Sequence, residues 1–193
     1  MRVAVSGSHG TGKSTLIAAF LEEHPVYLHE PEAFESLADE IELTPDEGPA
    51  PEELRALLQH SIAKVSLYKP GASVLFERSP VDYLAYAAAS ERSWPSGAIA
   101  TFLETTVPDV RDAMRHLDMI VFLLVSSRGI PPREGENPRF RKRVDAALRR
   151  ALFDDEYELF GESTAPRVVE LSPSPECQVK ELVHCVRDGG GSV

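Results

Sequence analysis

The chain has 193 residues, 42% of them hydrophobic, which is enough for one sizeable core and too few for two ordinary domains. Its 31 acidic residues outnumber the 20 basic ones, and the net charge of -11 opposes nonspecific binding to nucleic acid or anionic membranes. We therefore expect one domain over residues 1–187, a flexible tail at 188–193, and neither a nucleic-acid nor a membrane partner. The lack of an apolar leader or of a membrane-length apolar span predicts a cytoplasmic protein.

The first element predicts a phosphate site. Arg2 to Ser6 is typical of a buried parallel strand, the G-x-x-x-x-G-K-S motif follows, and a helix is expected from Lys13 to about Leu21. Glycines let the loop turn its N–H groups toward phosphate, Lys13 can reach the β and γ phosphates, and the Ser14 hydroxyl can ligate Mg²⁺. His9 lies in a variable position and is given no chemistry of its own. The motif predicts that nucleotide is bound by Gly7, Ser8, His9, Gly10, Thr11, Gly12, Lys13, Ser14 and Thr15.

The second strand is expected at Val26 to Leu28 and is followed by His29, Glu30 and Pro31. In an open parallel sheet the ligand crevice lies outside the carboxyl ends of the strands, so Glu30 should face the same crevice as Lys13. Glu30 is the candidate general base, and a solvated charge at the start of a helix is the alternative. A helix over 32–41 and an acidic loop over 42–50 should follow.

The next helix and strand deliver a second carboxylate. Residues 51–69 have the spacing of an amphipathic helix that starts at proline, and 73–76 should form a strand. Glu77 at its end is the predicted metal residue, although it could instead serve only as a charge before the helix at 80–90. Arg78 is positioned for phosphate, or for a structural ion pair with Glu30 or Glu77.

The second half supplies a central strand and a basic loop. Helix is expected over 97–117 with an interruption before Pro108, followed by a fully buried strand over 119–125. A loop with glycines, prolines and arginines comes next, and we predict an arginine-containing lid at about 126–139. Arg128 and Arg133 are its candidate catalytic residues, because arginines that close over a transferring phosphoryl group stabilise its charge. A merely solubilising cluster is the alternative.

The last elements are a helix over 139–160, a strand over 167–171 and a helix over 175–187. Cys177 and Cys185 lie eight residues apart on that helix, too far for a mutual disulfide, and should be reduced. Five strands alternating with helices predict an α/β fold of the P-loop NTPase type, a five-stranded parallel doubly wound sheet with helices on both faces.

Together these motifs resemble a known group. GSHGTGKST, HEP, FERSPVDYLAY and NPRFRKRVDAAL are similar, in this order, to P-loop kinases of the deoxynucleoside kinase and nicotinamide riboside kinase type, and to small AAA-family-labelled ATPases. The resemblance implies that Glu30 of the Glu-Pro pair is the base. It also implies that the Glu-Arg-Ser triplet at 77–79 supplies a metal-linked glutamate, Glu77, and an arginine, Arg78. The residues that would border the acceptor pocket are Gln59, Tyr68, Tyr83 and Tyr86.

The hypothesis is therefore an ATP- and Mg²⁺-dependent kinase that acts on a hydroxyl of a small metabolite, nucleoside or nucleoside-like, with a homodimer left open. A regulatory NTPase without an acceptor is the alternative class, and a nucleoside monophosphate kinase is a nearer rival. The acidic acceptor side favours a neutral acceptor over a phosphorylated one. A GTPase is disfavoured because the chain has no N-K-x-D sequence. An oligomeric AAA+ motor is disfavoured because its lid domain does not fit into 193 residues.

Overall fold

The computed structural model describes residues 1–37, 49–90, 93–124, 137–161, 163–172 and 174–189. The strands are β1 (Arg2–Ser6), β2 (Leu28–Glu30), β3 (Val74–Glu77), β4 (Met119–Leu123) and β5 (Arg167–Leu171). The helices are α1 (Lys13–Glu23), α2 (Ala33–Ser36), α3 (Pro51–Ser66), α4 (Pro80–Ala89), α5 (Ala98–Met114), α6 (Pro138–Phe153) and α7 (Pro175–Gly189).

The five strands form one parallel sheet in the order β2-β3-β1-β4-β5. Successive side chains of a strand point to opposite faces, so β1 feeds two cores. Ala4 joins the core under α3, α4, α5 and α6, whereas Val3 and Val5 join the core under α1 and α7. The predicted α/β P-loop fold, with helices on both faces of a five-stranded parallel sheet, is confirmed.

β1 lies at the centre of the sheet, between β3 and β4, and all five of its residues are buried. The chain leaves β1 directly into the phosphate-binding loop, and the carboxyl ends of β2 and β3 lie on the same edge of the sheet. This edge is where an open α/β sheet binds its ligands. Among the described residues, no helix is both long and apolar enough to cross a bilayer.

Several predicted boundaries in the first half are wrong. The strand expected at 26–28 lies at Leu28–Glu30, because Pro25 and Val26 form a turn in which the Tyr27 N–H donates to the His24 carbonyl. Val26 is 72% exposed, so its apolar side chain gave a misleading signal. The helix expected over 32–41 spans only α2, and residues 38–48 lie outside the described part of the chain. The helix expected to reach 69 ends at Ser66.

The interruption expected before Pro108 is also wrong, since α5 runs through it. Pro108 and Glu104, whose carbonyl loses its helical partner, both lie on the exposed face, where water can replace the missing N–H. The helix expected to reach 160 ends at Phe153. There the chain turns through Asp155 and Glu158 at positive φ, and the Asp155 carboxylate accepts from the Leu159 N–H at 2.6 Å.

At the carboxyl end, α7 includes Asp188 and Gly189, so the part of the expected tail that the structure describes is helical. The central strand ends at Leu123. Arg128 and Arg133, the predicted lid arginines, lie outside the described residues. Both cysteines are free thiols: Cys177 is exposed, and Cys185 is buried in the core under α1 and α7.

Candidate functional site

The phosphate-binding loop between β1 and α1 has the conformation that its glycines permit. Gly10 and Gly12 have φ of 66° and 91°, a region that residues with a Cβ rarely adopt. A Cβ on Gly7 would lie 2.9 Å from the backbone oxygen of Leu123, so β4 leaves no room for a side chain there. The Ser8 hydroxyl is fully buried without a hydrogen-bond partner among the described residues. A ligand in the loop is the expected partner for such a group.

Lys13 is the first residue of α1 and only 5% of it is exposed. Its ammonium donates to the Ser8 carbonyl at 3.1 Å and so folds back over the loop. Burial, helped by the nearby Arg78 charge, lowers the pKa of Lys13 to about 8. A phosphate chain beside this ammonium would restore the charge that burial disfavours.

Glu77 and Ser14 lie where the sequence predicts a metal. The Ser14 hydroxyl donates to the Glu77 Oε1 at 2.7 Å, and the Glu77 Oε2 lies 3.8 Å from the Nε2 of His29. Burial alone would raise the pKa of Glu77, but the neighbouring His29 imidazole, the hydrogen bond from Ser14 and the charge of Lys13 hold it below its usual value. A hydroxyl and an ionised carboxylate are the oxygen ligands that Mg²⁺ accepts next to substrate phosphates, so these residues fit the predicted ion.

Arg78 is buried and has a backbone φ of 75°, unusual for a residue with a side chain. Its Nε donates to Glu32 at 2.5 Å, and its Nη1 donates to the Gly7 carbonyl at 2.9 Å. The guanidinium also lies 3.0 Å from the His9 Nδ1 and over the ring of Tyr86. Among the described residues it pairs with neither Glu30 nor Glu77, the two ion-pair partners considered from the sequence.

Asp82, in the first turn of α4, is fully buried and joins this helix to the loop. It accepts from the Ser6 hydroxyl at 2.6 Å, from the Gly7 N–H at 3.2 Å and from the Ser79 N–H at 2.9 Å. Its Oδ1 also lies 3.4 Å from the Arg78 Nη1. Asp82 was not predicted as a site residue, although Ser79-Pro-Val-Asp82 has the spacing of a capping box.

Glu30 lies at the end of β2 beside a small cavity. Its carboxylate accepts a hydrogen bond from the Tyr68 hydroxyl and lies 3.1 Å from the Lys64 ammonium. Burial would raise the pKa of Glu30, but Tyr68 and Lys64 hold it below its usual value. The cavity is lined by Glu30, Pro31, Ala33, Ser61, Lys64, Phe76, Glu77 and Arg78. It therefore places Glu30 beside the predicted metal residue.

Of the four residues expected at the acceptor pocket, the structure brings three to this region. Tyr68 contacts Glu30, and the Tyr86 ring lies under Arg78. The Tyr83 hydroxyl is buried and has no hydrogen-bond partner among the described residues. Gln59 is exposed on α3.

Arg141 is a second residue whose contact with the loop was not predicted from the sequence. It lies in the first turn of α6, is 7% exposed, and donates to the Gly10 carbonyl at 3.1 Å. Asn137 begins this helix by accepting from the N–H groups of Arg139 and Phe140. Arg141 therefore contacts the phosphate-binding loop as a buried residue of α6.

Comparison with known proteins identifies relatives of this fold. A family model described as an AAA domain matches residues 2–164. Deoxyadenosine kinase from M. mycoides with bound dATP aligns with a TM-score of 0.68 and 12% identity, over 97% of this chain and 100% of that one. A second structure of that kinase, with products dCMP and a flexible dCDP, aligns with a TM-score of 0.67 and 13% identity, again over 97% of this chain and 100% of that one.

The NadR protein in complex with NAD and AMP-PNP aligns with a TM-score of 0.65 and 20% identity. The alignment covers 99% of this chain and 49% of that one, so the chain matches about half of that structure. Curated protein sequences gave no significant match. These similarities agree with the kinase-like group that the motifs resemble, and at such identities they establish the fold.

Proposed function

The chain belongs to the AAA domain family, and from this membership and the geometry of the loop we propose that it is an ATP- and Mg²⁺-dependent kinase. It transfers the γ-phosphoryl group to a hydroxyl of a small metabolite of nucleoside or nucleoside-like type. The observation that carries the proposal is the buried Lys13 on the loop, together with the Ser14 hydroxyl joined to Glu77 at 2.7 Å.

Each part of the loop has a task in this reaction. The backbone N–H groups of the loop and Lys13 hold the phosphates, and the bound ion, next to Ser14 and Glu77, would neutralise their charge. A carboxylate at the end of β2 takes the acceptor's proton, and Glu30 is the residue that the sequence selects. Arg128 and Arg133 remain the predicted lid arginines, and replacing either with alanine should lower kcat by roughly 10²-fold.

The acceptor side supports a neutral, hydroxyl-bearing compound. The two cations that line the cavity, Lys64 and Arg78, are already paired with Glu30 and Glu32. A phosphate on the acceptor would have to compete with these carboxylates, which argues against a nucleoside monophosphate.

The proposal is tested by incubating the protein with Mg²⁺ and γ-labelled ATP, and with a panel of nucleosides, deoxynucleosides and nicotinamide riboside. We expect label to appear in at least one acceptor, and transfer to be lost in a folded Lys13→Ala variant. The control is ATP turnover without any acceptor. Turnover that Lys13→Ala removes but that no acceptor stimulates would favour the regulatory NTPase.

A further inference from the structure

Two carboxylates, two residues apart, lie at and just after the end of β2, and they contact different groups: Glu30 lines the cavity, whereas Glu32 is not among its lining residues and instead pairs with Arg78. Glu30 contacts Lys64, which belongs to α3, and Tyr68, which lies just after that helix. No hydrogen bond or ion pair joins Glu30 to the phosphate-binding loop among the described residues. Glu30 therefore faces the wall of the cavity formed by α3.

Glu32, in contrast, is connected to the loop through a single guanidinium. The Arg78 Nε donates to the Glu32 Oε1 at 2.5 Å, and the same guanidinium reaches the Gly7 carbonyl and the His9 ring at 2.9 and 3.0 Å. Three carboxylates raise the pKa of Lys13 and so work against the effect of burial, and Glu32 has the largest effect, ahead of Asp82 and Glu77. Glu32 is thus the carboxylate that most favours the charged form of Lys13, while Arg78 joins it directly to the loop.

We infer that Glu32, and not Glu30, is the carboxylate that faces the γ-phosphate and accepts the proton of the acceptor hydroxyl. Glu30 then belongs to the acceptor-binding wall with Tyr68 and Lys64. This inference rests on the proposed kinase function and names the base within it.

The transfer step needs no reactant other than ATP, the acceptor hydroxyl and the Glu32 carboxylate. The acceptor O–H bond breaks and its proton passes to the Glu32 carboxylate, while the acceptor oxygen forms a bond to the γ-phosphorus. The bond from the γ-phosphorus to the β–γ bridging oxygen breaks, and ADP leaves with that electron pair. Arg78 orients Glu32 toward the loop, which makes Arg78 a positioning residue in this step.

The first arm of the test needs only nucleotide. A carboxylate beside the γ-phosphate repels ATP more than ADP, so Glu32→Gln should increase the ratio of ATP to ADP affinity at least ~3-fold at low salt. The matched control is Glu30→Gln, which removes the same charge two residues away and should leave the ratio within about twofold. Titration calorimetry with ATP·Mg²⁺ and ADP·Mg²⁺ measures both ratios. An unchanged ratio in Glu32→Gln would overturn the inference.

The second arm uses an acceptor that the wild-type protein phosphorylates. Glu32→Gln should lower kcat by roughly 10²- to 10⁴-fold, whereas Glu30→Gln should mainly raise the KM for the acceptor. Glu32→Asp keeps the charge and withdraws it by one methylene, so it should recover part of the loss; this variant also serves if Glu32→Gln does not fold. A large kcat loss in Glu30→Gln, with near-normal Glu32→Gln, would refute the assignment. If the wild type phosphorylates no acceptor, the kinase proposal fails, while the nucleotide ratios still decide where Glu32 lies.

Discussion

Replacing Asp82 with alanine removes the carboxylate that joins α4 to the start of the phosphate-binding loop. The substitution leaves the N–H groups of Gly7 and Ser79 buried without their acceptor, at about 1–3 kcal/mol for each such group. The hydroxyls of Ser6 and Ser79 lie 2.8 Å apart and can still bond each other, so we add nothing for them. Arg78 keeps Glu32 as a partner. We expect a loss of about 4 kcal/mol in the free energy of unfolding, the sum of mid-range costs for the two N–H groups.

The assay is equilibrium unfolding in urea without nucleotide, because a bound ligand would add its own stabilisation. Asp112→Ala is the control: Asp112 also pairs with an arginine, Arg115 at 2.7 Å, but its side chain is 75% exposed. An exposed pair contributes about 0–1 kcal/mol. If Asp82→Ala lost less than 1 kcal/mol with an unchanged dependence on urea, the reasoning from buried hydrogen bonds would be refuted.

Three further predictions concern the loop itself. The ammonium of Lys13 is favoured by phosphate, so nucleotide binding raises its pKa from about 8; affinity should fall as pH rises through 8, and calorimetry in different buffers should detect proton uptake near that pH. Glu77→Ala should raise the Mg²⁺ concentration needed for half-maximal turnover, and superimposable titration curves would contradict its role. Gly10→Ala and Gly12→Ala share a positive φ, but only the Cβ at Gly10 meets a neighbour, the Arg141 guanidinium at 3.3 Å. Gly10→Ala should therefore weaken ATP binding more than Gly12→Ala, and equal Kd values would argue against Arg141 as a support of the loop.

The sequence predicted the parts of the site that depend on local patterns. β1, the glycine loop and Lys13 at the start of α1 follow one another in the sequence, so their spacing alone indicated the phosphate site. The Ser14 and Glu77 contact could also be predicted, since Glu77 ends β3, the loop that leads to Ser14 follows β1, and the carboxyl ends of these parallel strands share one edge.

Contacts set by side-chain direction could not be predicted in the same way. Glu30 and Glu32 are separated by one proline and one strand end, and only the three-dimensional packing decides which of them meets Arg78. Arg141 lies 131 residues from Gly10, and the pattern of its helix does not specify which arginine turns inward. β2 was misplaced because an edge strand carries exposed side chains, so hydrophobicity did not mark its ends.

The pair of free cysteines gives the protein a built-in reporter. Cys177 is exposed to a thiol reagent, whereas Cys185 lies on the buried side of α7, in the core that α1 also covers. A reagent should therefore modify Cys177 at once and Cys185 only during openings that lift α7, and the slow rate measures how often such openings occur. Since α1 begins at the phosphate-binding loop, a nucleotide that stabilises this side of the sheet should slow the second modification. The rate at which the reagent modifies Cys185 could then report ligand binding without any change to the amino-acid sequence.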